Sequence, residues 1–244
     1  MTIKSIVEIE NKTFPNQAPV KEKMDIYVPK ITAENIPKRN GSIYVLCGSG
    51  GSGKTSLLLN MFKTKLLYRK KFHNIFYICP SSSFSSVAKH PFQDHENVYH
   101  ELTYSVLEDI YNQLVELKET EKKPIYSLII IDDYADAMKD PSILKILNRM
   151  IIKARHINCC FFFTLQSYYY FPKILRKQIT YITLFKPKNI EEFYSIAKEL
   201  FNMNQDDALK LYDYVFDVPY SHLDVDTVTN TYYKNFNLLS FKTT

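Results

Sequence analysis

The sequence of 244 residues is poor in several residue types. It has no tryptophan and four cysteines, none in a C-x-x-C pair, at positions Cys47, Cys79, Cys159 and Cys160. We therefore expect buried thiols in a reducing compartment and no zinc site. No run of about 18 apolar residues occurs, so no membrane span is predicted. The charged N-terminus lacks the apolar segment of a signal peptide, which predicts an intracellular protein.

Glycine is the most informative scarcity. The chain has five glycines, and all of them lie between Gly41 and Gly53. The segment GSGGSG at 48–53 has the composition of a flexible linker. Glycine is, however, also needed where the backbone adopts a positive φ or lies close to a ligand. A chain that avoids glycine elsewhere and concentrates it here raises the question of whether this segment is a working site.

The remaining composition fits an ordinary globular domain, with 45% hydrophobic and 23% charged residues. The net charge of +5 permits a polyanionic partner without requiring one. His90, His95 and His100 have no zinc-like spacing, and we interpret them as loop residues.

Apolar runs alternate with helical patterns from residue 42 onward. Strands are predicted at 42–47, 74–79, 126–133, 159–166 and 179–185, and helices at 54–68, 104–118, 141–154 and 189–201. The run at 126–133 is apolar without alternation, as in a strand covered on both faces. This order predicts an α/β fold, with an open parallel sheet and helices on both faces.

Two regions are predicted. Residues 1–40 contain the alternating runs "SIVEIE" and "MDIYV" and form a small N-terminal extended or β arm. Residues 41–244 form the main domain, with a C-terminal extension that contains short β-like runs.

The glycine cluster continues into Lys54-Thr55 and fits the pattern G-x-x-x-x-G-K-[ST], with a strand before it and a helix after it. This context indicates a phosphate-binding loop rather than a linker. The predicted ATP-binding residues are Gly48, Ser49, Gly50, Gly51, Ser52, Gly53, Lys54, Thr55 and Ser56. The Lys54 ammonium reaches the β- and γ-phosphates, and the Thr55 hydroxyl binds Mg²⁺. The main domain is therefore a predicted P-loop ATPase domain.

Polar side chains end two further predicted strands. Asp132 and Asp133 close "LIIIDD"; Asp132 is predicted to hold Mg²⁺, and Asp133 to act as general base on the attacking water. Gln166 ends "FFFTLQ" and is the candidate sensor of the γ-phosphate, although a solvated strand end is the alternative. The strand at 74–79 between the loop and the acidic pair is typical of additional-strand, RecA-like ATPases.

The segments "GSGGSGKTS", "LIIIDD", "ARHINCCFFFTLQS" and "FPKILRKQIT" together resemble the poxvirus-type DNA-packaging ATPases of giant viruses and virophages, in the FtsK–HerA superfamily. The resemblance covers 43–186. It implies ATP-driven translocation of double-stranded DNA into a capsid, a homo-oligomeric ring and capsid-protein partners. It also implies a location in the viral factory of the host cytoplasm and in the virion. One departure is Asp-Asp where many relatives carry Asp-Glu.

The resemblance further implies an arginine finger supplied by a neighbouring subunit. Arg155, just before the predicted strand at 159–166, is the first candidate and Arg176 the second. Alternatively, Arg149 and Arg155 continue a solvated basic face. The segment 166–178 either approaches DNA or a ring interface with its aromatic and basic residues, or packs against the domain edge.

Two other functions stay open. One is another DNA-translocating ring ATPase, such as a helicase or a conjugation-type pump. The other is a non-motor P-loop NTPase or a small-molecule kinase. The sequence contains no N-K-x-D motif of GTPases and no L-S-G-G-Q signature of transporter ATPases.

Overall fold

A computed structural model describes residues 3–9, 36–37, 40–65, 67–85 and 90–243. Within these ranges ten strands form one sheet. The strands are β1 (Ile3–Ile9), β2 (Ile43–Cys47), β3 (Asn74–Ile78), β4 (Val98–Tyr99), β5 (Ser127–Asp132), β6 (Cys159–Leu165), β7 (Tyr181–Phe185), β8 (His222–Asp226), β9 (Thr231–Lys234) and β10 (Asn237–Thr243). Their spatial order is β1-β10-β9-β8-β7-β2-β6-β5-β3-β4.

The described helices follow the predicted alternation with three additions, the second, fifth and seventh of the helices given next. They are α1 (Lys54–Lys63), α2 (Ser81–Ser85), α3 (Tyr104–Thr120), α4 (Pro141–Ile152), α5 (Lys173–Arg176), α6 (Ile190–Leu200) and α7 (Gln205–Val215). Short 3-10 turns occur at Ala137–Lys139 and Tyr168–Tyr170. Each of the helices in this part of the chain is too short or too polar to traverse a lipid bilayer.

The six strands from β7 to β4 are parallel, which confirms the α/β prediction. β6 lies between β2 and β5, the additional-strand arrangement. The register pairs Cys47 with Leu165, and Thr164 with Asp132. The residues that follow β2, β5 and β6 therefore emerge at one level of the carboxyl edge.

Two apolar cores cover the two faces of this sheet, as predicted. Helices α3, α4, α6 and α7 pack on one face, and α1 packs on the other. Strand residues alternate between the cores: Val45 belongs to the first and Leu46 to the second. The four cysteines are buried free thiols, as expected.

The remaining four strands are antiparallel and extend the sheet beyond β7. The sheet is therefore mixed rather than wholly parallel. β1 pairs with β10, so the first run of the predicted arm completes this edge of the same sheet. The second run, at 24–28, lies outside the described residues.

Several boundaries differ from the predictions. The first helix ends at Lys63 rather than at 68, because Thr64 is extended and the chain folds back to bury Leu67 and Tyr68 in the core beneath α1. Helix α7 and the short helix α2 were not predicted.

Candidate functional site

The glycine-rich segment 48–53 joins β2 to α1. Gly53 is the N-cap of α1 and has the left-handed φ of 102°. A Cβ at Gly48 would lie 2.7 Å from Phe185 Cβ and 2.8 Å from Ser52 Oγ, closer than packed atoms tolerate. The loop thus needs glycine at these two positions for different reasons, one conformational and one steric.

The start of α1 differs from that of the other long helices. A side-chain oxygen caps α3, α4, α6 and α7, from Thr103, Asp140, Asn189 and Asn204 respectively. At α1 no side chain of the described residues caps the helix, and its first turn contains no acidic residue. The positive end of this helix is therefore left for an external anion.

Lys54 spans the mouth of the loop. Its Nζ donates hydrogen bonds to Gly48 O at 2.6 Å and to Ser49 O at 3.0 Å. Burial lowers the pKa of Lys54, and the negative charge of nearby groups, including Asp133 and Asp132, opposes that shift. Thr55 beside it is half-buried and Ser56 is exposed.

Asp132 ends β5 and is only 3% exposed. Tyr77 OH donates to its Oδ2 at 2.6 Å, and Thr164 Oγ1 donates to its Oδ1. Two hydroxyl groups from the flanking strands β3 and β6 therefore fix the orientation of the carboxylate.

Tyr77 and Thr164 were missed by the sequence analysis. A signal was present, since each is a hydroxyl near the carboxyl end of an otherwise apolar strand. Burial raises the pKa of Tyr77, and the Asp132 carboxylate raises it further. Burial, then Asp132, likewise raises the pKa of Cys79 to about 12. Both groups stay protonated at neutral pH, so Tyr77 acts as a donor and Cys79 is not a thiolate nucleophile.

Asp133 leaves the line of β5 with a left-handed φ of 59° and is exposed. This conformation is uncommon outside glycine but accessible to aspartate. Its N–H donates to Thr164 Oγ1 at 3.1 Å, and Gln166 Nε2 donates to its Oδ1 at 3.1 Å. The structure thus brings the predicted base and the predicted sensor into direct contact at the end of β6.

The chain after Gln166 is held by α6. Glu192 Oε1 accepts from Ser167 Oγ at 2.7 Å and from Tyr168 N at 2.6 Å. A cavity of about 210 Å³ adjoins this point, lined in part by Gly48, Gln166 and Phe185. The phosphate loop, the end of β6 and α6 therefore share one packed unit.

The two candidate arginines lie in different environments. Arg155 is exposed at the amino edge of the sheet, where a Cβ on Gly41 would lie 2.3 Å from its Cγ. β2 separates Gly41 from the phosphate loop by five residues, a span of roughly 17 Å. Arg155 therefore lies at the opposite edge from the phosphate loop of its own subunit.

Arg176 is 6% exposed and bonded within its own fold. It donates to Phe171 O at 2.9 Å, to Tyr169 O at 3.1 Å and to Glu199 at 3.2 Å. Its guanidinium also lies 4.5 Å from the ring centroid of Tyr168. These contacts give Arg176 a structural role and leave Arg155 as the accessible arginine of the two.

The basic face of α4 carries its own contacts. Arg149 lies 4.5 Å over the ring of Tyr111, and Lys153 donates to the Tyr111 hydroxyl at 3.2 Å. Arg155, beyond the helix end, is exposed and has no hydrogen-bond partner for its guanidinium among the described residues. This environment fits a solvated side chain and equally one that meets a neighbouring subunit.

Comparisons with known proteins agree with this geometry. The DNA packaging proteins OPG160 of Variola virus and of Vaccinia virus (strain Copenhagen) are each 29% identical to the chain over 147 residues. The match covers 58% of this chain and 52% of each relative. The chain thus spans about half the length of the curated relatives it matches.

Solved structures share the fold at low identity. The genome packaging NTPase B204 of Sulfolobus turreted icosahedral virus 2, in complex with AMPPCP, matches 80% of this chain and 96% of its own, with a TM-score of 0.55 and 19% identity. EssC (ATPases 2 and 3) of Geobacillus thermodenitrificans matches 82% of this chain and 40% of its own, with a TM-score of 0.59 and 14% identity. These likenesses establish a P-loop ATPase fold.

The match to a family model covers more of the chain than the 147 residues matched by the OPG160 proteins. Residues 34–211 match the sequence model of the family described as "Poxvirus A32 protein". Because this range is well over half of the 244 residues, the chain belongs to the poxvirus A32 protein family.

Proposed function

We propose that this protein is a motor that couples Mg-ATP hydrolysis to the translocation of double-stranded DNA into a viral capsid. The observation that carries the proposal is the meeting of three strand ends. The phosphate loop, the Asp132-Asp133 pair and Gln166 follow β2, β5 and β6 at one level of the sheet. Membership of the A32 family, with relatives named as DNA packaging proteins, supports the substrate.

The residues of the loop fit a nucleoside triphosphate. The N-terminus of α1, which no side chain of the described residues caps, suits close approach of phosphate oxygens. Lys54, which bonds two loop carbonyls, would transfer its donors to the β- and γ-phosphates. Thr55 and the oriented carboxylate of Asp132 would hold Mg²⁺, which when bound offsets the negative charge of the phosphate oxygens.

The general base assigned by this proposal is Asp133. Its carboxylate is exposed beyond the strand end and can accept a proton from an attacking water. The Gln166 amide bonds one oxygen of that carboxylate and so can sense the occupant of the γ-phosphate position. Asp132 is less accessible to an attacking water, because it is buried and oriented by the hydrogen bonds from Tyr77 and Thr164. Each of its oxygens keeps a second lone pair with which it could bind Mg²⁺.

The proposal includes a homo-oligomeric ring, because Arg155 is too far from its own phosphate loop to act there. It also includes double-stranded DNA bound without sequence preference and capsid proteins as partners. The net charge of +5 suits a polyanion. The corresponding location is the viral factory in the host cytoplasm, and the virion.

The test measures ATP hydrolysis by the purified protein with and without duplex DNA, at several salt concentrations. We expect hydrolysis that stops on chelation of Mg²⁺, rises with duplex DNA of any sequence and loses that stimulation steeply with salt. Lys54→Ala should abolish it, and Lys63→Ala, an exposed lysine on the same helix, should not. Hydrolysis indifferent to DNA would contradict the packaging proposal.

Another ring pump remains the second candidate, because the fold is shared with the Type VII secretion ATPase EccC of Thermomonospora curvata. Two DNA substrates separate the candidates. A packaging motor should displace a third strand from a triplex without separating the duplex, whereas a helicase separates the two strands. Phosphate transfer to a small acceptor in place of water would instead identify a kinase.

A further inference from the structure

A short segment between α7 and β8 borders the phosphate loop on the side away from the acidic pair. A Cβ at Gly53 would lie 3.6 Å from Phe185 Cε1 and 3.9 Å from Tyr220 Cδ1. The ring of Tyr220 therefore lies beside the start of α1. None of the predicted site residues comes from this part of the chain.

Tyr220 is an unusual residue for its position. Its side chain is 72% exposed, and Val218 two residues earlier is 56% exposed. Its backbone has a φ of 64°, a region that bulky residues rarely adopt. Because the ring is largely exposed, its burial contributes little free energy of folding to offset this backbone strain. A strained, exposed aromatic beside a ligand loop is typical of a binding residue.

The segment is held at both of its ends. Lys234 Nζ contacts both carboxylate oxygens of Asp217 at 2.9 Å. On the other side, His222 N donates to Asn235 Oδ1 at 2.9 Å as β8 begins. Ser221 N closes the turn on Val218 O at 3.3 Å. The Tyr220 ring is thus presented from a fixed frame rather than from a long free loop.

We propose that Tyr220 is the stacking platform for the purine base of the bound nucleotide. The sheet order fixes the direction: β6 and β5 lie on one side of β2, and β7 and β8 lie on the other. A nucleotide whose terminal phosphate faces Asp133 and Gln166 directs its base to the opposite side, where Tyr220 lies. The inference rests on the proposed function, because it takes the phosphates to lie in the loop.

Stacking makes the site tolerant of the base. A ring face contacts any purine, whereas discrimination needs hydrogen bonds to the base edge. We therefore expect ATP and GTP to depend on Tyr220 to the same degree.

The experiment compares two ligands by titration calorimetry: a non-hydrolysable ATP analogue and inorganic tripolyphosphate, which has no base. Tyr220→Asn removes the ring with a residue that tolerates a left-handed backbone. It should weaken the analogue about tenfold and leave tripolyphosphate binding unchanged. Tyr220→Phe should bind both ligands as the parent protein does. Tyr104→Asn, a change of an exposed tyrosine at the far end of the sheet, is the control and should alter neither.

The outcomes separate the inference from the proposed function. Normal analogue binding by Tyr220→Asn, or an equal loss for both ligands, would overturn the stacking role while leaving the phosphate loop intact. If the parent protein bound neither ligand, the proposed function itself would fail, and the stacking role with it. A selective loss of the analogue supports both.

Discussion

The two edges of the parallel sheet are built for different purposes. At the carboxyl edge, α1 starts without a side-chain cap, Asp133 has a left-handed backbone and Gln166 is exposed. At the amino edge the chain is bonded to itself: Phe161 N donates to Ser42 O, and Ser127 N donates to Asn158 O. The carboxyl edge, where we propose that the nucleotide binds, therefore differs from the amino edge in leaving a helix end without a side-chain cap among the described residues and polar side chains exposed to solvent.

Arg155 is the exception at the amino edge, because it is exposed and its guanidinium has no partner in the described part of the chain. Its placement makes sense when a second subunit brings its own carboxyl edge against this amino edge. The two edges would then meet at the interface between subunits, and mutation of Arg155 would disrupt that contact.

The largest expected effect is that of Arg155→Ala. If the guanidinium stabilises the transferring phosphate of a neighbouring subunit, the substitution should lower the turnover of the assembled protein by about 10³–10⁵ and leave ATP binding nearly normal. Steady-state hydrolysis at saturating ATP and a separate binding titration measure the two quantities. Arg149→Ala, on the packed face over Tyr111, is the matched control and should keep most of the activity.

Mixing tests the direction of action. Arg155→Ala and Lys54→Ala should each be inactive alone, but a mixed assembly places an intact Lys54 site beside an intact Arg155. Recovery of activity on mixing is the expected result. Full activity of Arg155→Ala by itself would show that this residue takes no part in hydrolysis. It would also remove the argument for a contact between the two edges of neighbouring subunits.

A change within the carboxyl edge comes second. Asp133→Asn keeps the shape of the side chain and removes the base, so turnover should fall by about 10²–10⁴ while ATP binding survives. Asp133 acts on the nucleotide of its own subunit, so a site that carries Asp133→Asn should stay inactive whichever subunit lies next to it. In this it differs from Arg155→Ala, which a neighbouring subunit can complement. Asp136→Asn is the control, since Asp136 is a nearby exposed acid paired with Lys139. Unchanged turnover in Asp133→Asn would place the base elsewhere.

The same contrast explains what could be predicted from sequence. The parallel strands were found because burial on both faces leaves uninterrupted apolar runs, such as that at 128–131. The phosphate loop could be predicted because its glycines and lysine have a fixed spacing in sequence. Both are local signals, and both belong to the carboxyl edge or to the strands leading to it.

The features that could not be predicted depend on contacts between residues far apart in the chain. That β8 to β10 and β1 join the sheet follows from hydrogen bonds between residues far apart in the chain. The partners of Asp132 come from β3 and β6, so no spacing reveals them. Helix α7 did have a local signal, with Asn204 as cap and Ala208, Leu211 and Val215 at helical spacing.

A third prediction compares the two arginines by stability. Arg176→Ala removes hydrogen bonds to two carbonyls and to Glu199 and leaves those carbonyls poorly satisfied. We expect the free energy of unfolding to fall by about 3 kcal/mol. Arg176→Lys should not restore it, because lysine lacks the planar fork. Arg155→Ala should change the same quantity by less than about 0.5 kcal/mol. Denaturant unfolding measures both, and equal losses would contradict the assigned roles.

The smallest expected effects come from two glycines of the phosphate loop, at the carboxyl edge, and the comparison is between Gly48→Ala and Gly50→Ala. A methyl group at Gly48 would meet Phe185 Cβ at 2.7 Å and Ser52 Oγ at 2.8 Å, so Gly48→Ala must displace the loop from the end of β7. At Gly50 nothing described lies within 4 Å of an added Cβ, and its φ is not in the left-handed region. We expect Gly48→Ala to weaken ATP binding about tenfold or more, since overpacking costs about 1–3 kcal/mol. Gly50→Ala should stay within about twofold of the parent protein, because the methyl group enters open space. If Gly50→Ala were the more damaging of the two, the bound phosphate would have to lie against Gly50 so closely that its backbone admits no side chain, and the loop would close further around its ligand than this structure shows.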